Sequence, residues 1–260
     1  LHYPLRRQRQ MCIRDRIVSN LSFLPVNENN LVYKAARLLQ EEFALTDGIS
    51  VKLTKRIPVA AGMAGGSTDA AAMLYAMNQL YDLGLSRREL MKRGVQIGAD
   101  VPYCLMRGTA LAEGIGEKLT QLPPMIKCPV LIAKPSISVS TKFVYQNLKL
   151  DEQTNHPDID ALMKDIREKD FDGVCAHMGN VLESVTIPNY PVIAEIKQQM
   201  MRSGAKASMM SGSGPTVFGL FEDGETAKRA LREMKRSGLA KQVYPVSYTH
   251  LRAHETRGNL

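Results

Sequence analysis

Apolar and polar residues along the chain follow two periods, one typical of strands and one typical of helices. Residues 49–55, ISVKLTK, alternate strictly and predict a half-buried strand. Residues 31–43 place apolar side chains on one face, and Asn29 or Asn30 directly before them can cap a helix, so we predict an amphipathic helix here. Strands and helices are mixed without regular alternation, so we expect an α+β fold rather than a doubly wound sheet.

Further elements follow from the same periods and from residues that begin and end helices. Ser86 opens a helix with a capping-box pattern, Ser140 caps another, and Gly98–Leu105 has the small and polar residues of a turn. The other predicted helices cover 67–81, 158–168, 172–184, 190–203 and 224–238, and the other predicted strands cover 108–113, 117–120, 129–134, 205–210, 216–221 and 241–246.

The two ends of the chain differ from the rest. Residues 1–16 and 247–260 show neither period and contain three of the five histidines. We expect both segments to be non-native, so that the native beginning of the protein would be missing. A pair of genuine basic tails is the alternative. Pro123-Pro124 marks a boundary, which predicts one domain over 17–124 and a second over 125–246.

Charge and composition narrow the class of partner. The formal net charge is +8, but residues 1–16 contribute +4 and residues 247–260 contribute +1, so the other 230 residues carry only +3. This weak excess suits a phosphorylated substrate better than nucleic acid. The chain has no apolar stretch of membrane-spanning length and no signal-peptide core, and its four cysteines fit no zinc pattern. We therefore expect a cytoplasmic protein with unpaired thiols and no membrane partner.

The strongest candidate for chemistry is a glycine-rich loop between a strand and an alanine-rich helix. Glycines let the backbone approach a ligand closely, and free N–H groups at a helix N-terminus attract anions. The hydroxyls of Ser67 and Thr68 could add donors or hold Mg²⁺ beside a phosphate. The alternative is an ordinary tight connection in which Ser67 or Thr68 is the helix N-cap. The predicted phosphate-binding residues are Pro58, Val59, Ala60, Ala61, Gly62, Met63, Ala64, Gly65, Gly66, Ser67 and Thr68.

Two further segments carry candidate side chains or backbone groups. Asp100 lies among small residues after a helix, where its carboxylate could accept a hydroxyl proton during phosphoryl transfer. A turn or cap role for Asp100 is the alternative. A second glycine loop could form another anion-binding nest, or it could be a tight hairpin. Its residues are Ser211, Gly212, Ser213 and Gly214.

In this order, the three segments resemble the motifs of the GHMP small-molecule kinases. PVAAGMAGGSTDAA is similar to the phosphate loop of that superfamily, and SGSGPTVF is similar to its third motif. The series GGSTDAAA, IGADVPYCL, AEGIGEKL and KPSISVSTKFVY further resembles the 4-diphosphocytidyl-2-C-methyl-D-erythritol kinases of the non-mevalonate isoprenoid pathway. The resemblance covers about residues 17–246.

The resemblance implies a fold, a reaction and a set of ligands. The fold would combine an N-terminal domain like domain 2 of ribosomal protein S5 with a ferredoxin-like C-terminal domain. ATP phosphates would lie along Pro58–Thr68 with Mg²⁺ bridging them, and Asp100 would take the proton of the substrate's 2-hydroxyl group. The substrate would be cytidine diphosphate methylerythritol, with no nucleic-acid partner, and the protein would be a monomer or weak homodimer.

The chain departs from the family pattern at two places. The family begins with a Pro-x-Ala-Lys-Leu-Asn-type strand whose lysine pairs with the catalytic aspartate, and no such motif occurs here. The chain as given is therefore expected to have little or no activity and to leave an open sheet edge. Ala64 also stands where the family has glycine, which is tolerable if its φ is negative.

Three alternatives stay open at this point. One is another GHMP enzyme, such as a homoserine or mevalonate-type kinase, although the GADVP turn and the VSTKFVY run argue against it. Another is a non-catalytic S5-like RNA-binding protein, which the pI of about 9.3 favours and the absence of Trp disfavours. The third is a pseudokinase that binds nucleotide without turnover.

Overall fold

A computed structural model describes residues 16–150 and 156–247. The segments predicted to be non-native therefore lie outside the described residues, apart from Arg16 and Ser247. No helix in the two described ranges combines the length and the apolar composition that crossing a bilayer requires.

Helices and strands are mixed along the chain. The helices are α1 (Leu31–Glu42), α2 (Gly65–Leu80), α3 (Arg87–Ile97), α4 (Val101–Met106), α5 (Thr141–Asn147), α6 (Ile159–Glu168), α7 (Phe171–His177), α8 (Glu183–Asn189), α9 (Val192–Arg202) and α10 (Gly224–Ser237). The strands are β1 (Arg16–Ser19), β2 (Ser50–Leu53), β3 (Thr109–Glu113), β4 (Lys118–Leu122), β5 (Pro129–Lys134), β6 (Ala207–Met210), β7 (Val217–Leu220) and β8 (Gln242–Ser247).

The chain divides into two compact units. The first comprises the described residues up to Ile57 together with Ala64–Arg107 and Ala112–Leu119. Within it, β1 and β2 pair in parallel, and α2 packs against α1, α3 and α4. The fully buried side chains of its core include Ala35, Leu39, Ala70, Leu74 and Val101. The small alanines let α1 and α2 approach each other closely.

The second unit comprises Pro58–Met63, Gly108–Leu111 and the described residues from Thr120 onward. Its four-stranded sheet has the order β6-β7-β5-β8 and is antiparallel throughout. Helix α9 packs on β6 and β7, and α10 packs on β5 and β8. The order β5, α9, β6, β7, α10, β8 along the chain is the βαββαβ pattern of a ferredoxin-like fold, so that expectation is confirmed.

The two helices that were predicted from N-capping residues at Asn30 and Ser86 are present. The Asn30 side chain accepts a hydrogen bond from Val32 N at 2.9 Å, and Ser86 forms a complete capping box with Glu89. The turn predicted over Gly98–Leu105 is wrong, because α4 begins inside it. Pro102 lies in the first turn of α4, where a missing backbone N–H breaks no helical hydrogen bond.

The single helix predicted over 172–184 is also wrong. It is divided into α7 and α8 by residues 178–182. In this break the Asn180 side chain donates to the carbonyl oxygens of Met210 and Gly212, both at 2.8 Å. A β-carbon at Gly179 would lie 2.9 Å from Pro157 Cγ. Contacts remote in sequence therefore override the local helical period here.

An acid–imidazole pair fastens α6 to α7. Asp165 is buried, and its Oδ2 lies 2.6 Å from His177 Nδ1. The hydrogen bond to Asp165 raises the pKa of His177, with a further contribution from the charges of Asp165 and Asp158. A raised folded-state pKa stabilises the fold below the unfolded-state value of about 6.5, and this stabilisation is lost as pH rises through the folded-state pKa.

We expect His177→Gln to reduce the free energy of unfolding more at pH 5.5 than at pH 9, because the stabilisation from a raised pKa is lost as pH rises. Urea denaturation followed by circular dichroism at both pH values measures the difference. The control is His156→Gln, which makes the same substitution at an exposed position and leaves the Asp165–His177 pair in place. An equal loss at both pH values would contradict the role of the imidazolium.

Candidate functional site

The first turn of α2 presents backbone donors. Helix α2 begins at Gly65, and its N-cap residue, Ala64, makes no side-chain capping bond. Thr68 is the first residue whose N–H bonds back, to Ala64 O at 2.9 Å. The N–H groups of Gly65, Gly66 and Ser67 therefore have no acceptor within the helix, which is the arrangement that binds anions.

The N-cap role proposed for Ser67 or Thr68 as an alternative is wrong. Both residues lie inside α2, and the Thr68 hydroxyl donates to Ala64 O at 3.0 Å. Thr68 Oγ1 also lies 3.4 Å from Cys104 Sγ. Burial raises the pKa of the Cys104 thiol, which keeps it neutral at pH 7. The hydroxyl is therefore fixed by two neighbours beside the backbone donors.

The two glycines at the start of α2 are closely packed, and the space at Gly65 is too small for a β-carbon. A β-carbon on Gly65 would lie 2.8 Å from Ile57 Cγ2 and 3.1 Å from Lys55 Nζ. A β-carbon on Gly66 would lie 3.3 Å from Leu31 Cδ1. Real β-carbons almost never approach another heavy atom as closely as the 2.8 Å at Gly65. Any side chain at Gly65 would therefore push the first turn of α2 away from the chain that leaves β2.

Ala64 adopts a left-handed backbone conformation. Its φ of +48° and ψ of +26° place it in the left-handed region, so the condition of a negative φ is not met. Ala60, in the same loop, also has a positive φ of +51°. A β-carbon in this region is unfavourable by about 1 kcal/mol, so the loop holds strain that glycine would remove.

Asp100 occupies the N-cap position of α4 without acting as a side-chain cap. Its carboxylate is exposed and makes no capping hydrogen bond, while its carbonyl oxygen accepts from Cys104 N at 3.1 Å. Cys104 is the residue that contacts Thr68, and α4 packs on α2. Within the first unit, the exposed Asp100 thus lies one helical turn before the cysteine whose thiol contacts Thr68.

In the second unit, the Gly62 end of the first loop contacts the second glycine loop. Ser211 Oγ donates to Gly62 O at 2.7 Å. A β-carbon on Gly62, whose φ is +69°, would lie 2.3 Å from Ser211 O and 3.0 Å from Gly214 O. Gly62 is therefore the residue that lets the two backbones touch.

The second loop is a β6–β7 connection whose polar groups are largely occupied. Ser211 N donates to Thr216 O at 2.8 Å, and Gly214 N donates to Ser211 O at 2.9 Å. Two of the four N–H groups predicted to bind an anion are thus used within the loop, leaving those of Gly212 and Ser213. The Ser213 hydroxyl lies 2.8 Å from Thr141 Oγ1, so it too has a partner.

Several residues that contact these loops were not predicted from the sequence. Lys55 forms an ion pair with Asp69 behind the start of α2, and Asn180 holds the second loop. Asn180 carries no local signal. Lys55 does show a signal in the sequence, because it follows positions 49, 51 and 53 on the predicted apolar face of the strand. A lysine on that buried face requires a partner, and Asp69 provides it.

Comparison with known proteins gives the same family over both units. Residues 30–108 match the family described as GHMP kinases N terminal domain, and residues 162–240 match GHMP kinases C terminal. The 4-diphosphocytidyl-2-C-methyl-D-erythritol kinase of Lachnospira eligens is 59% identical over 229 residues, which are 88% of this chain and 80% of the relative. The enzyme of that name from Geobacillus thermodenitrificans is 49% identical over 231 residues, 89% of this chain and 79% of the relative.

Solved structures agree with the fold. A crystal structure of 4-(cytidine 5'-diphospho)-2C-methyl-D-erythritol kinase aligns with a TM-score of 0.74 and 28% identity, covering 90% of this chain and 82% of that chain. Homoserine kinase from Cytophaga hutchinsonii aligns with a TM-score of 0.76 and 24% identity, covering 90% and 80%. At that identity the second likeness concerns the fold alone.

We expect Ala64→Gly to stabilise the protein by about 0.5–1 kcal/mol, because relief of the left-handed conformation exceeds the added entropy of the unfolded chain. Ala72, exposed within α2, is the matched control, since Ala72→Gly should be destabilising by about 1 kcal/mol. Chemical denaturation measures both. A loss of stability in Ala64→Gly would contradict the observed backbone conformation.

We expect Gly62→Ala to destabilise the protein by about 2–4 kcal/mol, because its β-carbon would meet Ser211 O at 2.3 Å and φ is positive. Gly84 separates the steric clash from the backbone strain, because it has the same φ of +69° but no heavy atom within 4 Å of where a β-carbon would lie. Gly84→Ala should therefore be destabilising by only about 1 kcal/mol. Thermal melts of the two variants compare them directly, and equal shifts would rule out the steric argument.

Proposed function

Because the chain belongs to the family of 4-diphosphocytidyl-2-C-methyl-D-erythritol kinases within the GHMP kinases, we propose that it phosphorylates the 2-hydroxyl group of 4-(cytidine 5'-diphospho)-2-C-methyl-D-erythritol with ATP. The single observation that supports this most is the first turn of α2. Three consecutive N–H groups lack helical acceptors there, two of them on glycines, and no side-chain cap competes for them. A triphosphate provides the anionic oxygens that such a turn binds.

The loop residues have separate tasks in this proposal. The N–H groups of Gly65, Gly66 and Ser67 bind phosphate oxygens, and the hydroxyls of Ser67 and Thr68 lie beside them. Such fixed donors stabilise the charge that develops on the transferring phosphoryl group without rearranging during the reaction.

Asp100 acts as the general base. Its carboxylate accepts the proton of the substrate's 2-hydroxyl group as that oxygen bonds to the γ-phosphorus atom and the bond from phosphorus to the β,γ-bridging oxygen breaks. The products are ADP and the 2-phosphorylated substrate. The exposure of this carboxylate, and its freedom from a capping role, support the assignment. General bases of this kind raise rates by about 10²–10⁴.

Magnesium enters with the nucleotide in this proposal. The described residues contain no group of three or more His, Cys, Asp or Glu side chains that could hold a metal ion. Mg²⁺ in kinases keeps several waters and is held mainly by substrate phosphates, so it needs few protein ligands. The hydroxyls of Ser67 and Thr68 are the groups that would lie beside it. The ion would draw charge from the phosphate oxygens.

The relatives favour this reaction over the alternatives. Identities of 49–59% over nearly nine-tenths of the chain point to the cytidyl substrate rather than to homoserine or mevalonate, and to a kinase rather than an RNA-binding protein. We also propose a cytoplasmic location, where ATP is available, and a monomer or weak homodimer.

We expect Asp100→Asn to lower the rate of phosphoryl transfer about 10²–10⁴-fold while leaving ATP affinity within about twofold, because the amide cannot take the proton but keeps the shape. Single-turnover transfer from radiolabelled ATP to the cytidyl substrate measures the rate even when it is slow. Asp160→Asn, at an exposed position in α6, is the control and should behave as wild type. Unchanged transfer by Asp100→Asn would remove Asp100 from the reaction.

A further inference from the structure

The Lys55–Asp69 ion pair lies directly behind the proposed phosphate-binding turn. The Lys55 side chain is only 5% exposed and that of Asp69 is 23% exposed, and the Lys55 ammonium is hydrogen-bonded to Asp69 Oδ2. A β-carbon on Gly65 would lie 3.1 Å from Lys55 Nζ, so the ammonium is adjacent to the first residue of α2. The pair thus joins the chain after β2 to the second turn of the helix.

The backbone of Lys55 is itself held firmly. Lys55 N donates to Asn20 Oδ1 at 2.7 Å, and Asn20 Nδ2 donates to Lys55 O at 3.1 Å. Asn20 directly follows β1, which pairs in parallel with β2. One end of the ion pair is therefore anchored to the sheet through two hydrogen bonds, and the other end is on α2. The pair fixes the position of the turn relative to the sheet within the first unit.

Stability alone does not account for this arrangement. A buried ion pair gains little over well-packed apolar side chains, because removing two charges from water offsets their attraction. A methionine at 55 and a leucine at 69 would fill the same space. The feature that the charged pair adds is a directional link to one helix position, which apolar contacts lack.

We propose that Lys55 and Asp69 are positioning residues for nucleotide binding: they hold the N–H groups of Gly65, Gly66 and Ser67 in the arrangement that receives the triphosphate. The inference rests on the proposed function, since it assumes that ATP phosphates bind this turn. Neither side chain needs to touch ATP. Displacing such a turn by about 1 Å can reduce binding or rate by about 10²-fold.

The test uses the double variant Lys55→Met/Asp69→Leu in the full chain. Replacing both partners leaves no buried charge unpaired, so we expect the melting temperature to stay near the wild-type value. We expect the dissociation constant for a fluorescent ATP analogue to rise about 10–100-fold, whereas affinity for the cytidyl substrate changes less than about twofold. Asp69→Asn, which keeps an oxygen acceptor for the ammonium, should remain within about threefold of wild type for the analogue.

The Arg93–Glu42 ion pair is the matched control. It links α3 to Glu42, the C-terminal residue of α1. Gly66 lies instead near Leu31, the first residue of α1, and the two ends of that helix are about 16 Å apart. Arg93→Met/Glu42→Leu should leave the analogue's affinity unchanged. A Lys55→Met/Asp69→Leu protein that folds and binds the analogue as wild type does would overturn the inference alone. A wild-type chain that binds no ATP overturns the proposed function, and this inference with it.

Discussion

The close approach of the first turn of α2 to the chain leaving β2 is the constraint on which the first unit's candidate site depends. Gly65 must lack a side chain because Ile57 and Lys55 occupy the space that a β-carbon would need. The buried Ala70 and Ala71 continue this close packing along the helix. At the same end of the helix, no side-chain cap bonds to the free N–H groups. Packing and anion binding therefore require the same run of glycine and alanine.

The sequence was informative wherever the cause of a structure lies within a few residues. Asn30, Ser86 and Ser140 begin helices through side chains that bond to N–H groups two or three positions later, so a short segment contains the whole interaction. The β6–β7 connection is equally local, because glycines with positive φ mark a tight turn. The α+β class followed from the mixture of predicted helices and strands, whereas the ferredoxin-like unit followed only from the resemblance to GHMP kinases.

The sequence was uninformative where the cause lies far along the chain. Asn180 lies in a break between two helices, and its side chain bonds there to the carbonyl groups of Met210 and Gly212, which are 30 and 32 positions away. The left-handed conformation of Ala64 likewise has no signature in the residue itself, since alanine gives no reason to expect a positive φ. The strand period alone indicates that Lys55 needs a partner for its charge, but it does not identify Asp69 as that partner.

The two glycine loops also have more unequal roles than their sequences suggested. Both were candidates for anion binding, with a tight hairpin as the alternative for the second loop. The second loop uses the N–H groups of Ser211 and Gly214 internally, and its Ser211 hydroxyl donates to Gly62 O, 149 residues away. Its main contribution in the second unit is thus to hold the Gly62 end of the first loop. The Gly65 end is held separately in the first unit, where Lys55 and Ile57 lie against it. Because Lys55 and Ile57 pack against the Gly65 end, the first turn of α2 loses little conformational freedom when an anion binds to its N–H groups, so more of the binding free energy is available for the ligand.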